Sequence, residues 1–301
     1  MRRTGGFILV LAALLLGAVV ALAQRDFSKV EVTAEQVAPG IHMLKGSGGN
    51  IGVSSGPDGI FLIDDQYAPL SEKITIAVRA ISKGPIRFVL NTHWHGDHVG
   101  GNENFGKAGA VVVAHSNVRR RMSTDQISKI WGSTTAASAP AALPVVTFND
   151  SVTFHLNGED ITAMHVRHAH TDGDAIVFFR KANVVHMGDT FFNGLYPFID
   201  VDSGGSIDGV IASVEQVLGV INPETKIIPG HGPVTDRAGL LAYLEMLKSV
   251  RAAVLKQIAA GKTVAEAIAA KPTAAYDAAL GGSFIKPEKL VEILYADLTR
   301  K

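Results

Sequence analysis

The sequence predicts a mixed fold, α+β or α/β, in which helices pack on sheets, and three observations lead to it. The chain has 301 residues, of which 47% are hydrophobic and 19% charged. This composition is typical of a globular protein with a large core. After the first two dozen residues the chain begins with short strand-like runs separated by turns. Strands then alternate with helical segments in two successive halves.

The N-terminal segment differs from the rest of the chain. Two arginines precede an apolar run from Phe7 to Ala23, which ends in Ala-Leu-Ala. This pattern predicts a secretory signal peptide over residues 1–23, cleaved before Gln24. An uncleaved anchor helix is the alternative, because the run is near the lower length limit of a membrane span. Cleavage would give a periplasmic or secreted protein without stable insertion in the membrane.

The first half of the mature chain opens as a β-meander and continues as alternating strand and helix. Gly56-Pro57-Asp58-Gly59 has the composition of a hairpin turn between two apolar runs. A helix is predicted over residues 71–82. The predicted strands of this half are 41–45, 50–55, 60–63, 86–90 and 110–114.

A long segment between the halves has no clean periodicity. Residues 124–146 are rich in Ser, Thr, Ala and Pro and contain Trp131. We interpret the segment as a surface loop or a set of short helices. Loops of this length are often active-site flaps.

The second half repeats the alternation and ends in helices. From Leu240 apolar residues recur at helical spacing, and the run from Thr263 to Glu266 is a capping box that opens a further helix. We expect one domain over residues 24–301, with a helical C-terminal part at 238–301. The predicted strands of this half are 152–156, 161–166, 175–179, 184–187 and 225–228, and a helix is predicted over 207–220.

Charge and cysteine content limit the possible functions. Lysine plus arginine equals aspartate plus glutamate at 28 each, so the net charge gives no argument for a nucleic acid partner. A small-molecule substrate is therefore expected, and the oligomeric state stays open. The chain has no cysteine, which excludes disulfides and thiolate ligands. Any metal ion must be held by imidazole and carboxylate groups.

Three histidines and an aspartate lie within six residues, directly after the predicted strand 86–90. In an extended segment His93 and His95 point to the same side, so both can face one metal ion. Asp97 and His98, beyond a glycine, can turn toward a second ion. Imidazole and carboxylate are ligands that Zn²⁺ prefers. Further donors must come from other strand ends, and the candidates are His165, His168, His170, Asp189 and His231.

The order of these motifs resembles that of the metallo-β-lactamase superfamily. The motifs are His-x-His-x-Asp-His at 93–98, Ala-His-Thr at 169–171, Gly-Asp at 188–189 and Gly-His-Gly at 230–232. The resemblance spans most of the mature chain and implies a four-layer αββα sandwich. Two metal ions would lie at one edge, between the sheets.

The resemblance also implies a role for each donor. Asp189 would bridge two zinc ions per chain, and the third histidine of the first ion is His170, because Thr171 follows it as in the family motif. From the residues alone His168 remains an alternative. The implied ligands are His93, His95 and His170 for one zinc, and Asp97, His98 and His231 for the other.

The expected activity is hydrolysis of a carbonyl substrate. A purely structural zinc site is normally closed by four ligands and often contains cysteine, whereas seven donors without cysteine favour an open catalytic centre. A hydroxide bridging the two ions would attack the carbonyl carbon, with Asp97 aiding orientation and proton movement. β-Lactam amide hydrolysis is the first hypothesis. The alternatives are a periplasmic lactonase, thioesterase or esterase of the same superfamily, or a non-catalytic zinc-binding accessory protein.

Other residues are weaker candidates. Asp64 or Asp65 is a candidate to orient a ligand histidine, and the alternative is that it only caps a turn. Aromatic side chains are candidates for the mouth of the site, although aromatics are more often simply packed. These aromatic candidates are Trp131, Tyr196 and Phe198, whereas no role is assigned to His42, His115, His155 or His186.

Overall fold

The computed structural model describes residues 26–300, so the predicted signal peptide lies outside the described residues. Residues 26–30 form a turn, and the chain from Glu31 onward forms a separate compact unit. Within the described part of the chain, no helix is both long enough and apolar enough to cross a membrane.

The chain opens with an antiparallel meander, as predicted. The turn at 56–59 joins the third and fourth strands, whose apolar residues are buried on both faces. The first strand was not predicted, because its polar composition gives no apolar alternation. These strands are β1 Thr33–Ala38, β2 Ile41–Lys45, β3 Ile51–Gly56 and β4 Gly59–Ile63.

Parallel strands extend this meander into a seven-stranded sheet of order β1-β2-β3-β4-β5-β6-β9. The pairs β4–β5, β5–β6 and β6–β9 are parallel, so the carboxyl ends of β4, β5 and β6 lie at one edge. The elements added are α1 Ser71–Ile81, β5 Ile86–Asn91, α2 Gly96–Val99, α3 Asn102–Lys107, β6 Val111–His115, α4 Ser116–Met122 and β9 Val146–Phe148.

The segment 124–146 contains a small hairpin, which the sequence did not predict. Strands β7 Gln126–Ser128 and β8 Ser133–Thr135 pair antiparallel, and Trp131 lies in the turn between them. A 3₁₀ turn at Pro140–Ala142 follows. The strands are only three residues long and largely exposed, so they carry no apolar period that a sequence pattern could reveal.

The second half forms a five-stranded sheet of order β10-β11-β12-β13-β14. Its last pair, β13–β14, is parallel and its other pairs are antiparallel. The apolar strand 175–179 is buried throughout and matches its predicted bounds. The strands are β10 Ser151–Leu156, β11 Glu159–His165, β12 Ala175–Phe179, β13 Val184–His186 and β14 Lys226–Ile228.

The two sheets face each other across a shared apolar core. Phe61 and Leu90 of the first sheet lie in the same buried cluster as Val177 and Ile228 of the second. A second cluster joins the other face of the second sheet to the C-terminal helices. On the outer face of the first sheet, α3 contacts β5 and β6. Helix, sheet, sheet and helix layers therefore follow in the predicted αββα order.

The C-terminal part is helical from residue 237. The capping box predicted at Thr263 is present: its side chain accepts from the Glu266 backbone N–H, and the Glu266 side chain reaches back to the Thr263 N–H. The helices of the second half are α5 Ile207–Leu218, α6 Arg237–Ala259, α7 Val264–Ala269, α8 Ala274–Leu280 and α9 Pro287–Thr299.

Candidate metal centre

The cluster of histidines lies at the carboxyl end of β5. The chain bends at residues 92–94 as it leaves this strand, His95 is extended, and α2 begins directly after it. The single helical turn brings Asp97 and His98 back toward the same edge. Because β4 and β6 run parallel to β5, their carboxyl ends meet here as well.

Four side chains form a first group with metal-ligand geometry. His93, His95, His170 and Asp189 offer one ligand atom each, all within 4.8 Å of one another. His95 Nδ1 lies 2.8 Å from His170 Nε2. Asp189 Oδ2 lies 3.6 Å from His170 Nε2 and 3.8 Å from His93 Nε2.

Asp97, His98 and His231 form a second group. Asp97 Oδ2 lies 3.7 Å from His98 Nε2 and 3.5 Å from His231 Nε2. Asp189 reaches this group too, with Oδ1 3.2 Å from His98 Nε2 and Oδ2 3.4 Å from His231 Nε2. Its carboxylate therefore stands between the two groups, as the position of a bridging ligand requires.

Several buried atoms in the two groups lack a hydrogen-bond partner among the described residues. These atoms are His93 Nε2, His98 Nε2 and Asp189 Oδ1. Unpaired buried polar atoms are costly, so a cluster of them indicates that another partner is missing. A metal ion with affinity for imidazole and carboxylate fits this donor set.

The electrostatics of the cluster favour a bound cation. Burial, reinforced by neighbouring imidazoles, holds the pKa of His93 well below its usual value, and burial lowers the pKa of His170 to about 4. Burial alone would raise the pKa of Asp189, but the imidazoles of His231 and His98 hold it well below its usual range. Neutral imidazole and ionised carboxylate are the forms that ligate metal ions.

His98 departs from this pattern because it faces several carboxylates. Burial lowers its pKa, yet Asp189, Asp97 and Asp64 outweigh that effect and raise the pKa well above its usual value. These carboxylates favour a positive charge at the position of His98. A metal ion supplies the same charge without a proton on His98.

The second ring nitrogens of three imidazoles contact oxygen acceptors. His98 Nδ1 lies 2.7 Å from Asp64 Oδ2, His95 Nε2 lies 2.9 Å from Asp200 Oδ2, and His170 Nδ1 lies 2.8 Å from the Phe198 carbonyl. Such partners fix the ring orientation and the tautomer of a ligand histidine.

Asp64 and Asp65 make different contacts near the cluster. Asp64 contacts His98 and also accepts hydrogen bonds from the backbone N–H and the hydroxyl of Thr92, at 2.7 and 2.8 Å. Asp65 accepts from the Gly101 N–H at 2.8 Å. Asp64 thus orients a cluster histidine, whereas Asp65 fixes the loop behind it.

Asp200 is a partner of a clustered histidine that the sequence did not suggest. It lies 105 residues from its partner His95, and it is buried. Burial raises its pKa, but the hydrogen bond from His95 outweighs burial and brings the pKa to about 2. Its position in the loop after Asp189 was the only available signal.

Two close approaches explain glycines around the cluster. A Cβ at Gly49 would overlap the imidazole of His98, and a Cβ at Gly230 would overlap the carboxylate of Asp189. Any larger residue at either position would displace a cluster side chain. The glycine before His231 in the Gly-His-Gly motif therefore has a steric cause.

Other histidines lie outside the cluster. His168 is exposed, with Nδ1 3.1 Å from the Gly204 carbonyl. His165 stacks on His115, with ring centroids 3.8 Å apart. Of the three neighbouring candidates, the structure brings only His170 into the cluster. His42, His155 and His186 belong to neither group either.

The three aromatic candidates lie in two different places. Phe198 and Trp131 line a cavity that also includes His95. Tyr196 is instead buried in the core, where its hydroxyl donates to Asp277 Oδ1 at 2.9 Å. Of the two readings left open for Tyr196, the structure shows simple packing, because its side chain turns toward the C-terminal helices.

Comparison with known proteins identifies the family. The sequence profile of the metallo-beta-lactamase superfamily matches residues 52–235. This match covers more than half of the chain and all seven clustered residues, so the protein belongs to the metallo-β-lactamase superfamily.

The sequence is similar to a curated relative, the hydroxyacylglutathione hydrolase of Polaromonas sp. (strain JS666 / ATCC BAA-500). The two are 27% identical over 164 residues, which is 54% of this chain and 55% of the relative. The chain thus spans about half the length of the curated relatives it matches.

Two solved structures share the fold. The metallo-beta-lactamase from Pontibacter korlensis superposes with a TM-score of 0.61 at 17% identity, covering 72% of this chain and 99% of that one. The stereoselective inverting sec-alkylsulfatase Pisa1 from Pseudomonas sp. superposes with a TM-score of 0.62 at 16% identity, covering 88% of this chain and 50% of that one. At these identities the likeness concerns the fold alone.

Proposed function

We propose that this protein is a two-zinc hydrolase that cleaves β-lactam amides. The observation that carries the proposal is the pair of ligand groups that share Asp189. Two groups joined by one carboxylate suit two adjacent ions, and an all-imidazole and carboxylate donor set suits zinc. The proposed ligands are His93, His95 and His170 for one ion, Asp97, His98 and His231 for the other, and Asp189 between them.

Zinc and the residues of the chain have different roles in the proposed reaction. When bound, zinc supplies Lewis-acid polarisation of a carbonyl oxygen and a water of lowered pKa. The side chain of Asp97 is 22% exposed, so it is the cluster carboxylate accessible from solvent. We assign to Asp97 the orientation of the attacking water and the transfer of its proton. Asp64 and Asp200 hold His98 and His95 in place.

Thioester or lactone hydrolysis is the second candidate function. The relative described above is named a hydroxyacylglutathione hydrolase, and the shared position carries Asp189, whereas the best-known lactamase subclasses have cysteine or serine there. Both reactions place a carbonyl carbon at the same centre. Substrate panels separate them.

The N-terminal segment supports a cellular location for this activity. We propose that residues 1–23 are a signal peptide and that the mature enzyme is periplasmic or secreted, where it would meet β-lactams. Sequencing the N-terminus of the exported protein tests this. A mature chain beginning at Gln24 supports the proposal, and a retained apolar segment contradicts it.

The experiment that tests the function is the initial rate of hydrolysis of a chromogenic cephalosporin by the zinc-loaded mature protein, with and without a chelator. We expect turnover that the chelator abolishes. His95→Ala and Asp97→Ala should abolish turnover while the circular dichroism spectrum is retained, and His155→Ala, at an exposed position remote from the cluster, is the matched control. Absence of cephalosporin turnover beside rapid thioester or lactone hydrolysis would favour the second candidate.

A further inference from the structure

A cavity opens beside His95 and its partner Asp200. It has a volume of about 130 Å³, and the aromatic rings of Trp94, Trp131 and Phe198 line it together with His95. Whole drug-sized ligands occupy pockets of about 300–1,000 Å³, so a cavity of this size suits one arm of a ligand. The other lining residues are Gln126, Ile127, Ser128, Ser133, Thr135, Asp200 and Ser203.

Aromatic rings continue from this cavity to the protein surface. Phe198 stacks on His95 with centroids 5.7 Å apart, Trp131 lies 5.8 Å from Phe198, and Phe284 lies 5.2 Å from Trp131. We call Phe198, Trp131 and Phe284 the aromatic row. It starts at a proposed zinc ligand and ends on the C-terminal part of the chain.

The outer end of the aromatic row is exposed to an unusual degree. Phe284 is 74% exposed, Trp131 is 39% exposed, and neighbouring Ile127 on the hairpin is 69% exposed. A packed aromatic of the core would be buried, so packing alone does not account for these side chains. Contiguous exposed apolar residues around a cavity are typical of a ligand-binding surface.

The charges around the cavity disfavour an anionic occupant. Among the described residues that line it there is no lysine or arginine, whereas the carboxyl group of Asp200 is one of them. Lys289 Nζ lies 4.9 Å from the ring centroid of Trp131, but it also forms an ion pair of 2.6 Å with Glu292. The ammonium group beside Trp131 is therefore already paired with a carboxylate.

The hairpin that presents Trp131 is held in place without a ligand. Asp202 Oδ2 accepts hydrogen bonds from the backbone N–H groups of Lys129 and Ile130, at 2.6 and 3.2 Å. Asp202 belongs to the same loop as Phe198. Because one loop supports both rings, the cavity is preformed, which reduces the entropy cost of binding.

We propose that the aromatic row binds the uncharged alkyl or arylalkyl arm of the carbonyl substrate whose reacting group lies at the metal centre. The substrate class is then an ester, thioester, lactone or lactam with an extended apolar substituent, without a charge on that arm. This inference rests on the proposed hydrolytic function for the position of the reacting group. The continuity of the row with His95 is what assigns it to the substrate.

The first test measures binding and needs no turnover. The chain has two tryptophans, and both line the cavity, so intrinsic fluorescence reports on it directly. The probe is 4-phenylbutan-2-one, an uncharged ketone without a leaving group, added to the zinc-loaded protein. We expect saturable quenching, with a dissociation constant raised several-fold in Phe284→Ala. Ile76→Ala, a 62% exposed apolar residue on α1, is the matched control and should leave it unchanged.

A charged version of the probe checks the uncharged character of the arm. The same ketone with a carboxylate on its phenyl ring should bind at least about tenfold more weakly. Equal binding of both ketones, or quenching that Phe284→Ala leaves unchanged, would overturn the inference.

The second test uses p-nitrophenyl esters from butanoate to octanoate. Burial of one methylene corresponds to roughly a fourfold gain in affinity, so kcat/KM should rise by at least about tenfold along the series. Trp131→Ala should flatten this dependence, and Ile76→Ala should not. A flat series in an active wild-type enzyme contradicts the inference alone. Absence of turnover on every ester and on cephalosporin, with zinc bound, contradicts the hydrolytic function. In that case the ketone binding experiment still shows whether the aromatic row binds an uncharged apolar arm.

Discussion

Asp200 illustrates how a single residue acts on the centre through a clustered histidine. Its carboxylate accepts from His95 Nε2, so the other ring nitrogen, Nδ1, faces the cluster. The orientation of one proposed ligand therefore depends on a residue 105 positions away in the chain.

Replacing Asp200 with Asn should weaken zinc binding rather than the fold. The amide cannot hold His95 as a carboxylate does, and loss of such partners typically costs about 10–100-fold in metal affinity. Zinc affinity is measured by competition with a chelating dye. Asp202→Asn, in the same loop but on the hairpin, is the control and should keep the wild-type affinity. Equal affinities in wild type and Asp200→Asn would show that Asp200 does not position His95.

The sequence pattern predicted the clustered donor residues better than the residues that hold these donors in place. His93 to His98 were visible because four donors fall within one short segment, and Asp189 and His231 because glycines flank them. Whether they ligate zinc stays a prediction. Asp200 and the Phe198 carbonyl were not predictable, because no local pattern marks an acceptor that only the folded chain brings to a histidine.

At the scale of elements, the strands β6 and β11 of the two sheets meet through a pair of histidines. His115 ends β6 and stacks on His165 at the end of β11. Its Nε2 lies 3.0 Å from the Asn149 carbonyl, and its Nδ1 accepts from the Asn117 N–H. Burial lowers the pKa of His115 to about 4, and His165 adds to this effect.

His115 should therefore contribute a pH-dependent part of the stability. Between pH 4 and pH 6.5 the unfolded chain takes up a proton that the folded ring does not. The contribution is complete above pH 6.5 and is lost as the pH falls toward 4, while Asp172 and Arg120 act on the ring with opposite signs and partly cancel.

The measurement for this pair is the melting temperature of wild type and His115→Gln from pH 4.5 to pH 7.5. The stability advantage of the wild type over the variant should shrink as the pH falls. His155→Gln, an exposed histidine, serves as the control. A constant difference across this range would rule out a depressed pKa at His115.

The elements themselves were largely predictable where burial imposes a period. The strands 41–45 and 175–179 match their predicted bounds because their residues are apolar and turns flank them. β1 and the hairpin β7–β8 were missed, since both are polar and largely exposed. Tertiary contacts, such as those of Asp202, stabilise the hairpin instead.

At the scale of the whole molecule, the candidate centre joins both sheets. The segment 93–98 follows β5 of the first sheet, whereas His170, Asp189 and His231 follow strands of the second. A bound ion would therefore stabilise the sandwich, because the unfolded chain does not hold these donors together.

Zinc should thus raise the melting temperature in a concentration-dependent manner, and a chelator should lower it. Free zinc at a hundred times its dissociation constant corresponds to about 2.7 kcal/mol of added stability. Differential scanning calorimetry measures the shift. Mg²⁺ is the control ion, since it prefers oxygen ligands and should have little effect. An unchanged melting temperature with saturating zinc would show that the candidate centre does not contribute to the stability of the fold.

We propose that two metal ions bind each chain, with Asp189 between them. The direct test is the zinc content of the zinc-loaded, desalted protein, determined by inductively coupled plasma mass spectrometry against protein concentration. We expect two zinc ions per chain in the wild type. A saturated content of one zinc or none would contradict it.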